Sequence, residues 1–463
     1  MQHLTLGKRY KGCMIFPLAF IISVMIYNAA ATCAQDAGDV KEVTHSTATG
    51  NQHVYSLSDL YTVALERSEK VGISEEDVII AEREKDRARS AYLPSVSAFA
   101  DYVRYSGSKV SESDFGSFAI QPDYSSAWGI RLNETLSLSG REITAYRMSK
   151  KGVETSRYDL HTVMEEYLLN VSEVYYDVLK ANKAVEIAAA NVERLAKHRD
   201  AAQTRFRVGE VTKTAVLRAE AELSGAQAKR AEAQNLLNLV KAVLARVVGI
   251  EEDFTLEETD TRIQETPNLG SLQQVALAER AEIKASAIKK QIAQDDVRYT
   301  KGAYWPTLSL EGVYERKDED PSSPFFLDES IYGVLRINFP FYEGGLRRAE
   351  VKQAEARHRQ AELTYEDIKK TIAIEVEDAY LDMKTQEEIL ESLEDQVIFA
   401  TENYDTVSKQ FEYGLANSID VMDANTLLVE AERDFSRARY DYQLSLIRLK
   451  RATGKLLETA VGH

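Results

Sequence analysis

The chain has 463 residues, 44% apolar and 28% charged, with only 8 Pro and 22 Gly. That composition excludes a disordered chain, a collagen and a polytopic helical membrane protein. The net charge of −17 and a pI of about 5.1, with no basic stretch, argue against a nucleic-acid partner. Cys13 and Cys33 are the two cysteines, so the rest of the chain offers no disulfide, thiolate metal site or cysteine nucleophile.

Residues 1–34 read as a secretory signal peptide. Lys8, Arg9 and Lys11 precede an apolar run at 14–27, which is shorter than the roughly 20 residues of a membrane span, and small residues follow. Cleavage is expected after Ala34 or Ala31. An uncleaved anchor is the alternative; lipidation of Cys33 would be one form of the cleavage, although Thr32 and Ala30 fit a lipobox poorly. No later segment has 18 apolar residues in a row, so a membrane crossing after export would have to use strands. Residues 35–54 read as a linker.

The remaining chain is written twice. Ala91-Tyr92-Leu93-Pro94-Ser95 recurs as Ala303-Tyr304-Trp305-Pro306-Thr307 at an offset of 212, and Arg131-Leu132-Asn133 recurs as Arg336-Ile337-Asn338 at an offset of 205. The second offset then pairs Gly140 with Gly345, Tyr175 with Tyr380, Asp177 with Asp382, Phe206 with Phe411 and Gly209 with Gly414. A series of matches in order indicates duplication, here of 55–265 and 268–455 with a joint at 266–270 and a tail at 456–463.

In chain order, the first copy reads as a helix at 58–91, strands at 95–105 and 126–138, a helix at 141–205 and a helix at 213–247. The second reads as a helix at 271–303, strands at 307–316 and 329–340, and helices at 346–410 and 418–451. The strands alternate: Leu308, Leu310, Gly312 and Tyr314 interleave with Ser309, Glu311, Val313 and Glu315, while Glu134 interrupts the apolar set of its strand. A barrel strand in lipid has this period, and so does a half-exposed strand of a soluble sheet. Polar stretches at 106–125 and 317–324 suit exposed hairpin loops. From Gly140 and Gly345 onward the spacing becomes 3,4, as in Leu160, Val163, Tyr167, Val171, Val174 and Val178, which reads as coiled-coil packing. Each first helix would be roughly 98 Å long. Gly209 and Gly414 end these helices and turn the chain back, making a helical hairpin in each copy. The shorter return helix leaves room for 58–91 to stand end to end with it.

Four strands cannot close a barrel, which needs about eight. If they lie in lipid, several chains must share one wall, because unpaired edges in hydrocarbon cost several kcal/mol per group. By arithmetic alone the wall could be an eight-stranded dimer or a twelve-stranded trimer.

The duplication, the Tyr-x-Pro strand starts, the tip Arg205-Phe206-Arg207-Val208-Gly209 and the second tip from Phe411 through Ala424 together resemble the TolC-like outer membrane efflux proteins over nearly all of the mature chain. The resemblance implies a mainly α fold with membrane β: a homotrimer with a 12-stranded barrel in outer membrane lipid, continued by a periplasmic α-helical barrel. The function it implies is the outer membrane channel of a tripartite efflux or type I secretion system in a Gram-negative bacterium. Its partners would be a periplasmic adaptor and an inner-membrane transporter, either a proton-driven pump or an ABC exporter. Two acidic residues after the second tip, Asp420 and Asp423, correspond to those lining the periplasmic gate, where six carboxylates in a trimer would attract cations; solvated carboxylates near a helix start are the plainer reading. Adaptor docking is expected at Val208, Gly209, Glu210, Val211 and Thr212 and at Tyr413, Gly414, Leu415, Ala416 and Asn417. Some relatives latch the entrance with an Arg and an Asp at positions that are here Ala416 and Ala215, so Arg205, Arg207, Glu210, Lys213 and Glu412 become the candidates.

The seven scattered His make no metal or catalytic constellation, and Thr453-Gly454-Lys455 lacks the upstream Gly of a nucleotide loop, so neither an enzyme nor a cofactor or metal site is expected. The rival reading is a secreted or periplasmic soluble coiled-coil scaffold or adhesin.

Overall fold

The structure, a computed structural model, describes residues 53–113, 116–258, 268–322 and 326–461. The signal segment with Cys33, the linker up to Gln52, and Thr266 and Pro267 of the joint lie outside them.

A short strand β1 (His53–Tyr55) leads into α1 (Leu57–Arg67) and α2 (Glu69–Ser90). Strand β2 (Ser95–Arg104), a small hairpin of β3 (Lys109–Ser113) and β4 (Gly116–Gln121), and β5 (Tyr124–Ser137) follow. The first helical hairpin is α3 (Arg141–Arg207) and α4 (Lys213–Val248), and β6 (Phe254–Leu256) closes the copy by pairing in parallel with β1. The second copy consists of α5 (Leu269–Glu279), α6 (Ala281–Lys301), β7 (Thr307–Asp320), β8 (Glu329–Asn338), α7 (Leu346–Glu412) and α8 (Ser418–Ala452), with a last helix α9 (Leu456–Val461). The long helices α3 and α7 have 67 residues each, about 100 Å.

Four strands form one antiparallel sheet in the order β2-β5-β7-β8. The register places Val96, Leu132 and Gly312 in line, then Ala98, Ile130, Tyr314 and Ile331, so the middle of one face is apolar, with Glu134 at one end of it and Arg316, Asp318 and Asp320 at the other; Ile130, Leu310, Ile331, Leu335 and Ile337 on it are exposed. On the other face Arg131 meets Glu311 at 3.4 Å and the Thr135 and Ser309 hydroxyls are 3.2 Å apart. Strands β2 and β8 are the two edges.

Three differences from the sequence pattern have physical causes. The stretches expected as single helices at 58–91 and 271–303 are each two helices. Ser68 is extended and its hydroxyl accepts from the Val71 N–H, restarting the helix. Arg280 breaks the second stretch because its buried guanidinium turns aside to Glu282, Glu375 and the Ala452 carbonyl. Strand β7 runs on to Asp320, beyond the expected end at 316, because it stays in register with β5 as far as Tyr124. The tail is helical from 456, and Leu456 and Ala460 join the core.

That core sits at the waist of the helices, where Leu60, Leu168, Val171, Tyr175, Leu244, Val248 and Phe254 are all buried. The Tyr61 and Ser172 hydroxyls are 2.5 Å apart within it. On the sheet side of the waist α2 accompanies α3, as the 3.0 Å pair of Arg157 with Glu82 shows; on the far side α4 does, through Leu195, Leu223 and Ala226. Among the described residues no helix is long and apolar enough to cross a membrane.

Candidate functional site: the paired hairpin tips

Each hairpin turns on a glycine held at positive φ, +82° at Gly209 and +77° at Gly414, a conformation that costs an L side chain about 1–2 kcal/mol. The amides after these turns reach back into the preceding helices: Glu210 N–H to the Arg205 carbonyl at 2.9 Å and Leu415 N–H to the Gln410 carbonyl at 2.8 Å. The tips differ in how the return helix starts. Thr212 makes no side-chain cap, whereas Asn417 accepts from the Ile419 and Asp420 N–H groups, and the Asp420 carboxylate accepts from the Asn417 N–H at 2.9 Å. Reciprocal capping of this kind fixes the first turn.

Asp420 and Asp423 are both exposed near the start of α8, between the buried Val421, Met422 and Ala424. Asp420 therefore has a structural task of its own. Val208, Tyr413 and Leu415 project apolar side chains from the two tips, with 68%, 81% and 79% of their surface exposed. Gly209, Glu210, Thr212, Gly414 and Asn417 are exposed beside them, and Val211 and Ala416 are half-buried.

Of the latch candidates, Arg205 is the one that spans the hairpins. It donates to the Phe411 carbonyl at 2.5 Å, stacks 4.8 Å from the centre of that ring, and binds Glu210 at 2.9 Å. Arg207 turns back to Thr204 on its own helix, and Lys213 and Glu412 are exposed. Further up, His198 Nε2 lies 2.9 Å from the Ser418 hydroxyl, and its ring is 4.9 Å from that of Phe411. Burial lowers the His198 pKa from its ordinary value, favouring the neutral ring. Arg194 binds Glu432 with two nitrogens, at 3.1 and 2.9 Å, and donates to Asn425, which in turn donates to Asn191 at 2.8 Å. The apolar 3,4 pattern does not mark these residues. Their own spacing does: 191, 198 and 205 on one helix, and 418, 425 and 432 on the other. Among the described residues no group of three or more His, Cys, Asp or Glu is placed to hold a metal.

A duplicated strand pair with an apolar face, joined to two long hairpins that end in paired turns, defines the class of outer membrane channels. Comparison with known proteins agrees. The family model described as "Outer membrane efflux protein" matches residues 60–249 and 272–455, one stretch in each copy, and the chain belongs to that family. It is similar to the outer membrane protein TolC of Vibrio cholerae, 25% identical over 386 residues, covering 81% of this chain and 85% of the relative. It is also similar to the alkaline protease secretion protein AprF of Pseudomonas aeruginosa, 23% identical over 415 residues, covering 87% and 85%. Among solved structures, the CmeC outer membrane channel of Campylobacter jejuni superposes with a TM-score of 0.75 at 17% identity, covering 90% of this chain and 91% of that one. The chain is thus an outer membrane channel for efflux or type I secretion, and the scaffold or adhesin reading falls away.

Proposed function

We propose that three copies complete one another's wall: a 12-stranded barrel in outer membrane lipid, continued by a helical tunnel across the periplasm that conducts substrates passively from an inner-membrane transporter. The observation that carries this reading is the four-stranded sheet, apolar on one face and open at both edges. In hydrocarbon those edges need partners, and copies of the same strands supply them. Exposed apolar residues along the outer flank of α7, among them Leu363, Ile374, Leu381 and Phe399, suit packing against a neighbouring copy.

In this assembly Val208 to Thr212 and Tyr413 to Asn417 receive a periplasmic adaptor, with Val208, Tyr413 and Leu415 as the apolar contacts, and a proton-driven pump or ABC exporter supplies the energy. Asp420 and Asp423 ring the periplasmic entrance and favour cations there.

The test is conductance of the purified full-length protein in planar bilayers. Trimers extracted from the outer membrane are expected to insert and to prefer cations. Asp423→Asn with Asp420→Asn should reduce that preference, since an amide oxygen at 420 still accepts the capping bond. A soluble monomer would overturn the barrel, and unchanged ion preference in the double variant would overturn the gate.

A further inference from the structure

The two ends of the four-stranded sheet carry opposite charge. At the loop end, Asp318, Glu319 and Asp320 close β7 while Asp328 and Glu329 open β8. At the other end the strands hand over to the helices, and both long helices begin with a basic excess. Residues 141–157 of α3 hold five Lys or Arg against two acids, and residues 346–359 of α7 again hold five against two, in a chain whose net charge is −17. A helix dipole favours acids near its start, so nothing in the helices themselves asks for this excess. Lys151, Arg157 and Arg347 are paired with Asp295, Glu82, Glu343 and Glu350. The side chains of Arg147, Lys150, Arg348 and Lys352 are exposed and make no ion pair or hydrogen bond among the described residues.

These four share one side of the wall. The offset of 205 sets Lys352 at the place of Arg147, and Arg348 at the place of Ile143 one turn before it. Along α3 a spacing of seven carries Arg147 through Glu154 and His161 to Leu168 and Tyr175. Leu168 and Tyr175 are buried in the core that α1 and α9 complete. Those two short helices lie outside a conducting wall, since on its inner side they would fill the tunnel. Arg147 and its companions therefore face outward, a turn or two below the strand ends. Between them and the sheet runs a belt of exposed apolar side chains: Leu93, Leu138, Trp305, Phe339, Phe341 and Tyr342. Aromatic belts of this kind mark the level at which acyl chains give way to headgroups.

We infer that this junction is a binding surface for anionic phospholipid. Trp305, Phe341 and Tyr342 rest at the acyl boundary, and Arg147, Lys150, Arg348 and Lys352 hold headgroup phosphates of the periplasmic leaflet. Each Lys or Arg near a membrane surface adds to the attraction of an anionic lipid, and the aromatic rings fix the depth. The acidic loop end disfavours the same headgroups, which confines the binding to the helix side. The inference rests on the reading of the sheet as a wall in lipid.

Tryptophan fluorescence tests it, because Trp128 and Trp305 are the only two tryptophans. Full-length Trp128→Phe keeps Trp305 alone as the reporter at the belt. It is reconstituted in phosphatidylcholine vesicles holding a small fraction of either brominated phosphatidylglycerol or brominated phosphatidylcholine, whose bromines quench a ring they touch. The anionic lipid should quench Trp305 as though enriched about fivefold around it, and salt at about 1 M should remove most of that enrichment. Arg147→Gln, Lys150→Gln, Arg348→Gln and Lys352→Gln together should bring the two lipids level. Where that variant forms no trimers, the α3 pair and the α7 pair of substitutions serve separately, and each should lower the enrichment. Lys229→Gln with Arg230→Gln, an exposed basic pair on α4, should leave it unchanged. Equal quenching by both lipids in the Trp128→Phe protein overturns the proposal. So does an enrichment that survives the neutral variants, or one that falls as far in the α4 control. If neither lipid quenches Trp305, nor Trp128 in Trp305→Phe, the sheet is not in lipid and the barrel reading itself fails, an outcome distinct from equal quenching.

Discussion

The waist and the tips are built from the same two hairpins yet are held in different ways. At the waist α1, α3, α4, α8 and α9 enclose a closed apolar core, and Tyr167 and Tyr175 tie it to the Val247 and Glu257 carbonyls. Beside that core Arg280, 2% exposed, grips Glu282, Glu375 and a helix-end carbonyl, while Arg451 reaches the same two carboxylates at 3.2 and 3.5 Å. At the tips the hairpins meet through hydrogen bonds, the Arg194–Glu432 ion pair and the side chains of Phe411 and Met422. Parting the waist would wet a buried apolar core, whereas many of the bonds between the tips can be replaced by bonds to water. The difference makes the tips the cheaper place to part the two hairpins.

The hardest way to break the comparison is to strike the waist. Arg280→Ala opens a cavity beside the core and takes from Glu282 and Glu375 their buried partner, leaving Arg451 alone to serve both. The expected outcome is a large drop in resistance to denaturant, read by circular dichroism of the purified protein, with far less folded protein reaching the membrane. Arg194→Ala, the matching cut at the tip, should lower stability much less and should change conductance. Equal losses of stability would erase the distinction between the two regions.

Glycine substitutions sharpen the tip side. Gly209→Trp and Gly414→Trp both place a side chain at positive φ, about 1–2 kcal/mol of strain that stays local to the turn. Both are expected to abolish efflux while trimers still reach the membrane, as drug or substrate accumulation assays together with membrane fractionation would show. The two should differ in leakage. A Cβ at Gly209 meets open space, whereas one at Gly414 lies 3.2 Å from Arg205 Nη2, the group that spans the hairpins. Gly414→Trp should therefore raise basal conductance as well. Normal efflux from either variant would refute the docking role of the tips.

How much of this was legible beforehand follows from the range of the forces involved. The 3,4 spacing of Val171 and Val178 marks positions that are indeed buried, and the alternation of Leu308 with Ser309 marks a sheet with two unlike faces, because both patterns record a local period. The break at Ser68 is a local signal, a serine capping the Val71 N–H three positions on, whereas the break at Arg280 was not legible. Arg280 leaves its helix for Glu375, 95 positions away, and no window along the chain contains both. The contacts between the hairpins were hidden for the same reason: His198 and Ser418 are 220 positions apart, and each reads alone as an ordinary helix residue. The charge of Asp420 suggests an entrance, while the Asn417-to-Asp420 spacing carries a capping box as well. The loop at 106–125 looked merely polar, yet Lys109–Ser113 pairs with Gly116–Gln121 through backbone bonds that side-chain composition does not announce.

The smallest effect expected is in pH, and it has opposite signs in the two regions. At the waist, burial and the neighbouring Glu282 push the Glu165 carboxyl up from 4.5 to about 7, with Arg451 and Arg280 opposing. A raised acid pKa means that the folded state prefers the proton. This contribution to stability is present below pH 4.5 and is lost as pH rises through about 7. At the tip, burial lowers the His198 pKa from 6.5, so its contribution is present above pH 6.5 and is lost as pH falls through the lowered value. The charged groups around its contacts are Arg194 and Arg205 on α3, Glu412 beside Phe411 on α7, and Asp420 and Glu432 on α8. Arg194 and Glu432 bind each other, Arg205 binds Glu210 and Asp420 caps its own helix start, so burial is what opposes a charged ring at His198. Acidification from pH 7.5 to 5.5 is therefore expected to raise channel opening modestly while the folded waist becomes slightly harder to denature. His198→Gln should flatten the first response and leave the second, and Glu165→Gln should flatten the second and leave the first. If one substitution abolished both responses, waist and tip would titrate as a single unit and the contrast between them would fail.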